Sequence, residues 1–165
     1  MAAHWAFIEE AKPQARSNNA NVAHRACLSP PMASKILVIE DQAEIRRLIR
    51  WSLAETDHQV QEAPNGSLGL AMAQTLRPDL IYLDVMMPGE LDGIAVCQQL
   101  RQDPATAGLL IVVLSADASQ DNKARALAAG ANFFLPKPFS PAKLLELTQV
   151  LLRNKTQAPV DPEAP

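Results

Sequence analysis

Leu80-Ile-Tyr-Leu-Asp84 is four apolar residues in a row that stop at a carboxylate. A continuous apolar run this short, with no alternation of polar positions, marks a strand buried on both faces. Two other runs match it, residues 36–39 upstream and residues 109–114 downstream. Val60 sits in a weaker strand that ends at the turn signal Pro64-Asn65-Gly66, and residues 132–135 read as the last strand.

The segments between these runs have helical spacing. Ile45, Leu48, Ile49 and Leu53 share one face over residues 44–54. Residues 68–76 read as a helix stopped before Pro78. Residues 93–100 place Ile94, Val96, Cys97 and Leu100 on a core face. Residues 123–129 are Ala-rich and end at Gly130, a good residue just past a helix. Ser140-Pro141 is an N-cap with proline in the first helical position, and Leu144, Leu147, Val150 and Leu151 are then expected to face one side. Continuous apolar strands alternating with helices predict an α/β protein, a flavodoxin-like doubly wound five-stranded parallel sheet with five helices.

The frame around this unit is less regular. Residues 1–33 form an irregular N-terminal extension, residues 34–153 the domain, and residues 154–165, with three prolines and no apolar cluster, a disordered tail. His4, Trp5, Phe7 and Ile8 fit one amphipathic turn, but the segment lacks the features of a signal peptide. The 165 residues suit one domain, since chains average roughly 100–200 residues per domain. A net charge of -3 gives no basic footprint for nucleic acid. No apolar run approaches the ~20 residues of a membrane span. Two cysteines, Cys27 and Cys97, make neither a disulfide framework nor a zinc site, so a reducing cytoplasmic location is expected.

In doubly wound folds function collects beyond the carboxyl ends of the strands. There the sequence supplies Glu40 and Asp41, then Asp84, then Ser115, then Lys137. Each has an ordinary reading alone: Asp41 as a cap for the next helix, Ser115 as a turn residue, Lys137 as a solvated charge. Together they make a different chemistry. Three crowded carboxylates repel, and either a proton or a cation must relieve them. The absence of His and Cys disfavours soft metals, and hard oxygen ligands with room for water suit Mg²⁺. A lysine and a hydroxyl opposite complete a cradle for a transferring phosphoryl group, with a carboxylate as a possible nucleophile.

At these residues the chain resembles the receiver domain of bacterial response regulators. The matching stretches are Lys35-Ile-Leu-Val-Ile-Glu-Asp41, Pro78-Asp-Leu-Ile-Tyr-Leu-Asp-Val-Met-Met-Pro88, Asp92-Gly93, Ile111-Val-Val-Leu-Ser-Ala116 and Phe133-Phe-Leu-Pro-Lys-Pro-Phe139. The resemblance implies that Asp84 is the phosphoacceptor. It makes Glu40 and Asp41 the acidic pair for Mg²⁺, with the Met86 backbone carbonyl completing the metal site. Ser115 becomes the switch hydroxyl, Lys137 its charged companion before a cis Lys137-Pro138 bond, and Phe134 the switch aromatic, expected to rotate inward once Ser115 turns toward the phosphoryl group. Met86 and Asp117 would tune hydrolysis. It also implies a sensor histidine kinase or phosphotransfer protein as donor, read by Arg46, Arg47, Arg50, Phe139 and Ser140, and a downstream protein target. Only twelve residues follow Arg153, too few for a DNA-binding module, so output is expected through protein contact. The segment 87–93 is one residue longer than the commonest family spacing, Pro136 is less usual before the lysine, and Phe134, at a position usually Tyr or Phe, has no hydroxyl to make a new hydrogen bond at the surface.

Three other functions compete. A receiver-like docking module acting without phosphorylation would be expected to lack a site residue, and none is missing. An aspartate-nucleophile phosphatase of the haloacid dehalogenase type needs a second Asp two residues after the nucleophile, where Met86 stands. A dinucleotide-binding domain needs a glycine-rich turn where Glu40-Asp-Gln-Ala43 stands.

Overall fold

The computed structural model describes residues 33–157. The amphipathic turn expected near Trp5, and Cys27, lie outside the described residues. Among the described residues five strands and five helices alternate: β1 (Lys35–Ile39), α1 (Ala43–Ser52), β2 (Gln59–Ala63), α2 (Gly66–Leu76), β3 (Leu80–Asp84), α3 (Gly93–Gln102), β4 (Leu110–Ser115), α4 (Gln120–Ala128), β5 (Phe133–Pro136) and α5 (Pro141–Gln157). All neighbouring strands pair in parallel in the order β2-β1-β3-β4-β5. The flavodoxin-like expectation therefore holds.

Successive strand residues point to opposite faces, and this sorts the apolar runs into two cores. Leu37, Ile39, Ile81, Leu83 and Val113 pack with Val96, Leu100 and Ala126 on the face of α2, α3 and α4. Ile36, Val38, Leu80, Tyr82, Val112 and Leu114 pack with Ile49, Leu53 and Leu144 on the face of α1 and α5. The central strands are buried on both sides because helices cover both, which is why their sequence shows no alternation.

Helix ends follow local chemistry. Asn65 caps α2 by accepting from the Leu68 N–H, and α2 ends at Arg77 in the left-handed region, φ 46°, just ahead of Pro78. Asp92 caps α3 by accepting from the Ala95 N–H at 2.8 Å. Ser140 caps α5 through the Lys143 N–H. Gly130, with φ 100°, follows α4 where a side chain would be strained and would strike Arg101.

Two expectations at α5 need correction. Val150 faces outward and is 47% exposed, while Thr148 is fully buried. The inward stripe is Leu144, Thr148 and Leu152, each four residues from the next, because this helix keeps one phase against the sheet. Thr148 is acceptable there because its hydroxyl shares a 2.6 Å hydrogen bond with the Tyr82 hydroxyl and donates to the Leu144 carbonyl. Burial pushes the Tyr82 pKa up to about 12. The irregular tail expected from residue 154 also begins inside this helix, which runs on to Gln157.

Candidate functional site

The chain steps from β1 outward to β2 and then back across to β3, so the strand order reverses between β1 and β3. At that switch point the loops after the two strands diverge and leave a crevice. Glu40 and Asp41 follow β1, Asp84 ends β3, Ser115 ends β4 and Lys137 follows β5. All five predicted residues thus converge on one edge of the sheet.

Lys137 reaches into this edge and donates from Nζ to Glu40 Oε2 at 2.7 Å and to Asp84 Oδ1 at 2.8 Å. Glu40 is fully buried and Asp84 is 1% exposed. The Lys137-Pro138 bond is cis, and the Lys137 N–H donates to the Ser115 carbonyl. One oxygen from each of Glu40, Asp41 and Asp84 lies within 4.8 Å of the others. Asp41 Oδ1 and Asp84 Oδ2 are buried and have no hydrogen-bond partner among the described residues. Burial, reinforced by the neighbouring Asp84 charge, raises the Glu40 pKa against the opposing pull of Lys137.

This arrangement fits a hard divalent cation. With the three carboxylates ionised, the single lysine leaves two negative charges uncompensated. The donors are all oxygen, and two of them are buried and unsatisfied, a state that costs free energy until something positive meets it. The family-implied Mg²⁺ therefore suits the residues present. Met86, whose backbone carbonyl the resemblance assigns to the metal site, is 70% exposed. Gly93 packs under Asp84 so closely that a Cβ there would collide with the Asp84 carbonyl, which accounts for Asp92-Gly93 beside the site.

Several expectations change in detail. Asp41 does not cap α1; Gln42 occupies the N-cap position, without a side-chain cap bond, and the Asp41 carboxylate stays on the crevice. Arg46, expected among the kinase-reading residues, turns inward instead. Its Nη1 donates to the carbonyls of Glu40 and Asp41 at 2.8 and 2.9 Å, and its Nε to Glu62 Oε2 at 3.2 Å. Arg47 and Arg50 remain exposed on α1. Phe134, expected to move inward only after Ser115 turns, is already 9% exposed in the core beneath α4. A phenyl ring has no hydroxyl to keep it in water, so burial wins without any trigger.

Ser115 is itself tied down. Its Oγ accepts from Asn122 Nδ2 at 2.7 Å and from the Asp117 N–H at 3.1 Å. Asn122 was invisible to sequence reasoning. The one available signal is a polar residue four positions before Ala126, on the buried face of α4. Asp117 accepts from the Ser119 N–H, which holds its carboxyl below the usual range. Beside Lys137, an open groove of about 360 Å³ runs between Ile45 and Leu48 of α1 and Pro138 and Phe139 of the β5–α5 loop.

Residues 36–149 match the response regulator receiver domain. The chain is 40% identical over 124 residues to the transcriptional regulatory protein ResD of Bacillus subtilis, covering 75% of this chain and 50% of that protein. It is 37% identical over 130 residues to the phosphate regulon transcriptional regulatory protein PhoB of Pseudomonas aeruginosa, covering 79% and 56%. The chain thus spans about half the length of these regulators. Among solved structures, the chemotaxis protein CheY4 of Vibrio cholerae superposes with a TM-score of 0.68 at 31% identity, covering 72% of this chain and 98% of that one.

Proposed function

The chain belongs to the response regulator receiver family of two-component systems, and we propose that it takes up a phosphoryl group on Asp84 and signals through the resulting change at Ser115. The observation that carries this reading is the setting of Asp84. One carboxylate oxygen is held by Lys137, and the other is buried beside Glu40 and Asp41 without a hydrogen-bond partner among the described residues.

Asp84 attacks phosphorus in line. The bond from phosphorus to the donor's imidazole nitrogen or acyl oxygen breaks, and the donor leaves with that electron pair. Lys137, already on Asp84, meets the charge that develops on the phosphoryl oxygens. Glu40, Asp41 and Asp84, with the Met86 carbonyl, would hold Mg²⁺, which supplies Lewis-acid charge to the phosphoryl oxygens when bound. Ser115 gives up the bonds from Asn122 and Asp117 and donates its hydroxyl to a phosphoryl oxygen. That release frees the first turn of α4, the element whose packing then reports the phosphorylation. Hydrolysis of the acyl phosphate by water resets the site.

The same reading extends to the surroundings. The receiver unit runs from residue 34 through α5. A sensor histidine kinase or phosphotransfer protein docks over the groove beside Lys137, with Arg47, Arg50, Phe139 and Ser140 at its rim. A downstream protein is the target, without direct nucleic-acid contact by this unit. Among the described residues no helix is long and apolar enough to cross a membrane, and the cytoplasm is the proposed location. Docking without phosphorylation has no observation in its favour, because every member of the site is present.

The test is intact-protein mass after incubation with Mg²⁺ and acetyl phosphate. Wild type should gain one phosphoryl group and a folded Asp84→Asn variant none. No gain by wild type, or an undiminished gain by the variant, would overturn the assignment.

A further inference from the structure

We propose that Arg46 is a positioning residue for the acidic pair, holding the backbone of Glu40 and Asp41 so that Asp41 stays aimed at the divalent-cation site; the proposal rests on the reading of that site as the Mg²⁺ centre. The chain passes from β1 to α1 through a very short link, Glu40-Asp41-Gln42, and Gln42 offers no side-chain cap to the helix. The link carries two of the three clustered carboxylates. Like charges at this spacing push apart. Glu40 has a counter-ion in Lys137, but Asp41 Oδ1 has no hydrogen-bond partner among the described residues. Its position must be set through the main chain.

Arg46 supplies that restraint. A single guanidinium nitrogen bridges the two consecutive carbonyls, and the other end of the group is pinned to Glu62. Glu62 sits on β2 directly opposite Val38 of β1. The link is thereby tied to the strand beside it as well as to the helix after it. The Arg46 side chain is only 17% exposed, against 70% for Arg50, which approaches the same Glu62 from outside at 3.6 Å. A planar guanidinium suits this task, because it presents several donors in a fixed fork.

Charge and positioning make opposite predictions. Arg46 is a cation near a cation site, so removing its charge alone would tighten Mg²⁺ binding. Removing a restraint on the ligands would weaken it, and outer groups that orient metal ligands typically matter by about 10–100-fold in affinity. The experiment is calorimetric titration of the full chain with Mg²⁺, alongside thermal melts. Wild type should bind, and Asp41→Asn should bind far more weakly. Arg46→Ala should raise Kd about tenfold, Arg46→Lys several-fold, and Arg153→Ala, at an exposed position of α5, should leave it unchanged. In acetyl phosphate reactions, Arg46→Ala should need more Mg²⁺ for half-maximal rate yet approach the wild-type rate at saturation.

An Arg46→Ala Kd equal to or below that of wild type overturns the positioning role. If Arg46→Ala does not fold, Arg46→Lys decides, because it keeps the charge; an unchanged Kd then overturns the role. A lowered melting temperature with wild-type Kd would mark Arg46 as structural only and also overturn it. Failure of wild type to bind Mg²⁺, or of Asp41→Asn to weaken it, would remove the metal-site reading itself, a result separate from the Arg46 comparison.

Discussion

The two ends of the sheet carry similar numbers of polar groups and treat them in opposite ways. At the amino end, Arg101 donates to the carbonyls of Gly130, Ala107 and Leu109 and to Asn132 Oδ1. Asn132 Oδ1 also accepts from the Ile111 N–H. Asp79 accepts from the Lys35 N–H and from Lys155 Nζ, and these bonds hold its carboxyl below the usual range. Donors and acceptors there are matched. At the carboxyl end, three carboxylates face Lys137, and two buried oxygens find no hydrogen-bond partner among the described residues. The first arrangement stabilises the joins between elements. The second leaves buried negative charge uncompensated, a cost that the proposed cation would relieve, and it persists only because the rest of the fold fixes it in place.

That contrast can be broken from either side. The largest effect expected is at Asp84, where Asn should abolish phosphorylation while leaving the fold intact. Next is Arg101→Ala at the opposite end. It strands three carbonyls and should cost about 2–3 kcal/mol in urea unfolding, yet leave acetyl phosphate reactivity unchanged below the melting transition. Lost reactivity in the folded variant would show that the two ends are coupled.

Glu40→Gln should act in the reverse sense. Because burial raises the Glu40 pKa, folding favours its neutral form; the group disfavours the folded state above its folded pKa, and this penalty fades as pH falls to the ordinary carboxylate range. The metal-free variant should therefore melt a few degrees above wild type at pH 7. The gain should shrink toward pH 4, and added Mg²⁺ should stabilise wild type more than the variant. A variant that melts below wild type at pH 7 without Mg²⁺ would show that the Lys137 pairing outweighs the burial cost. The smallest effect belongs to Val150, where Ser should change stability by no more than about 0.5 kcal/mol, since the position is exposed.

Most of the fold was legible because its signals are local. A strand covered on both faces must be apolar throughout, and residues 36–39, 80–83 and 109–114 say so unaided. A carboxylate, hydroxyl or lysine ending such a run is placed by topology alone, so Glu40, Asp41, Asp84, Ser115 and Lys137 could be named together. Helix phase was less certain. Val150 and Thr148 differ by two positions, and the packing of α5 on Tyr82 decided which of them faced inward.

The sequence by itself determined the architecture and which polar residues gather at the carboxyl ends of the strands, because both follow from hydrophobic period and position in the chain. Tertiary structure alone decided what those groups are bonded to. Arg46 joins Glu62 across sixteen residues, Lys137 joins Glu40 across ninety-seven, and Asn122 occupies the Ser115 hydroxyl from a helix that reads as merely Ala-rich. A long polar side chain can point to solvent or to a buried acceptor at the same place in sequence. The choice falls to whichever unsatisfied acceptor the fold brings within reach.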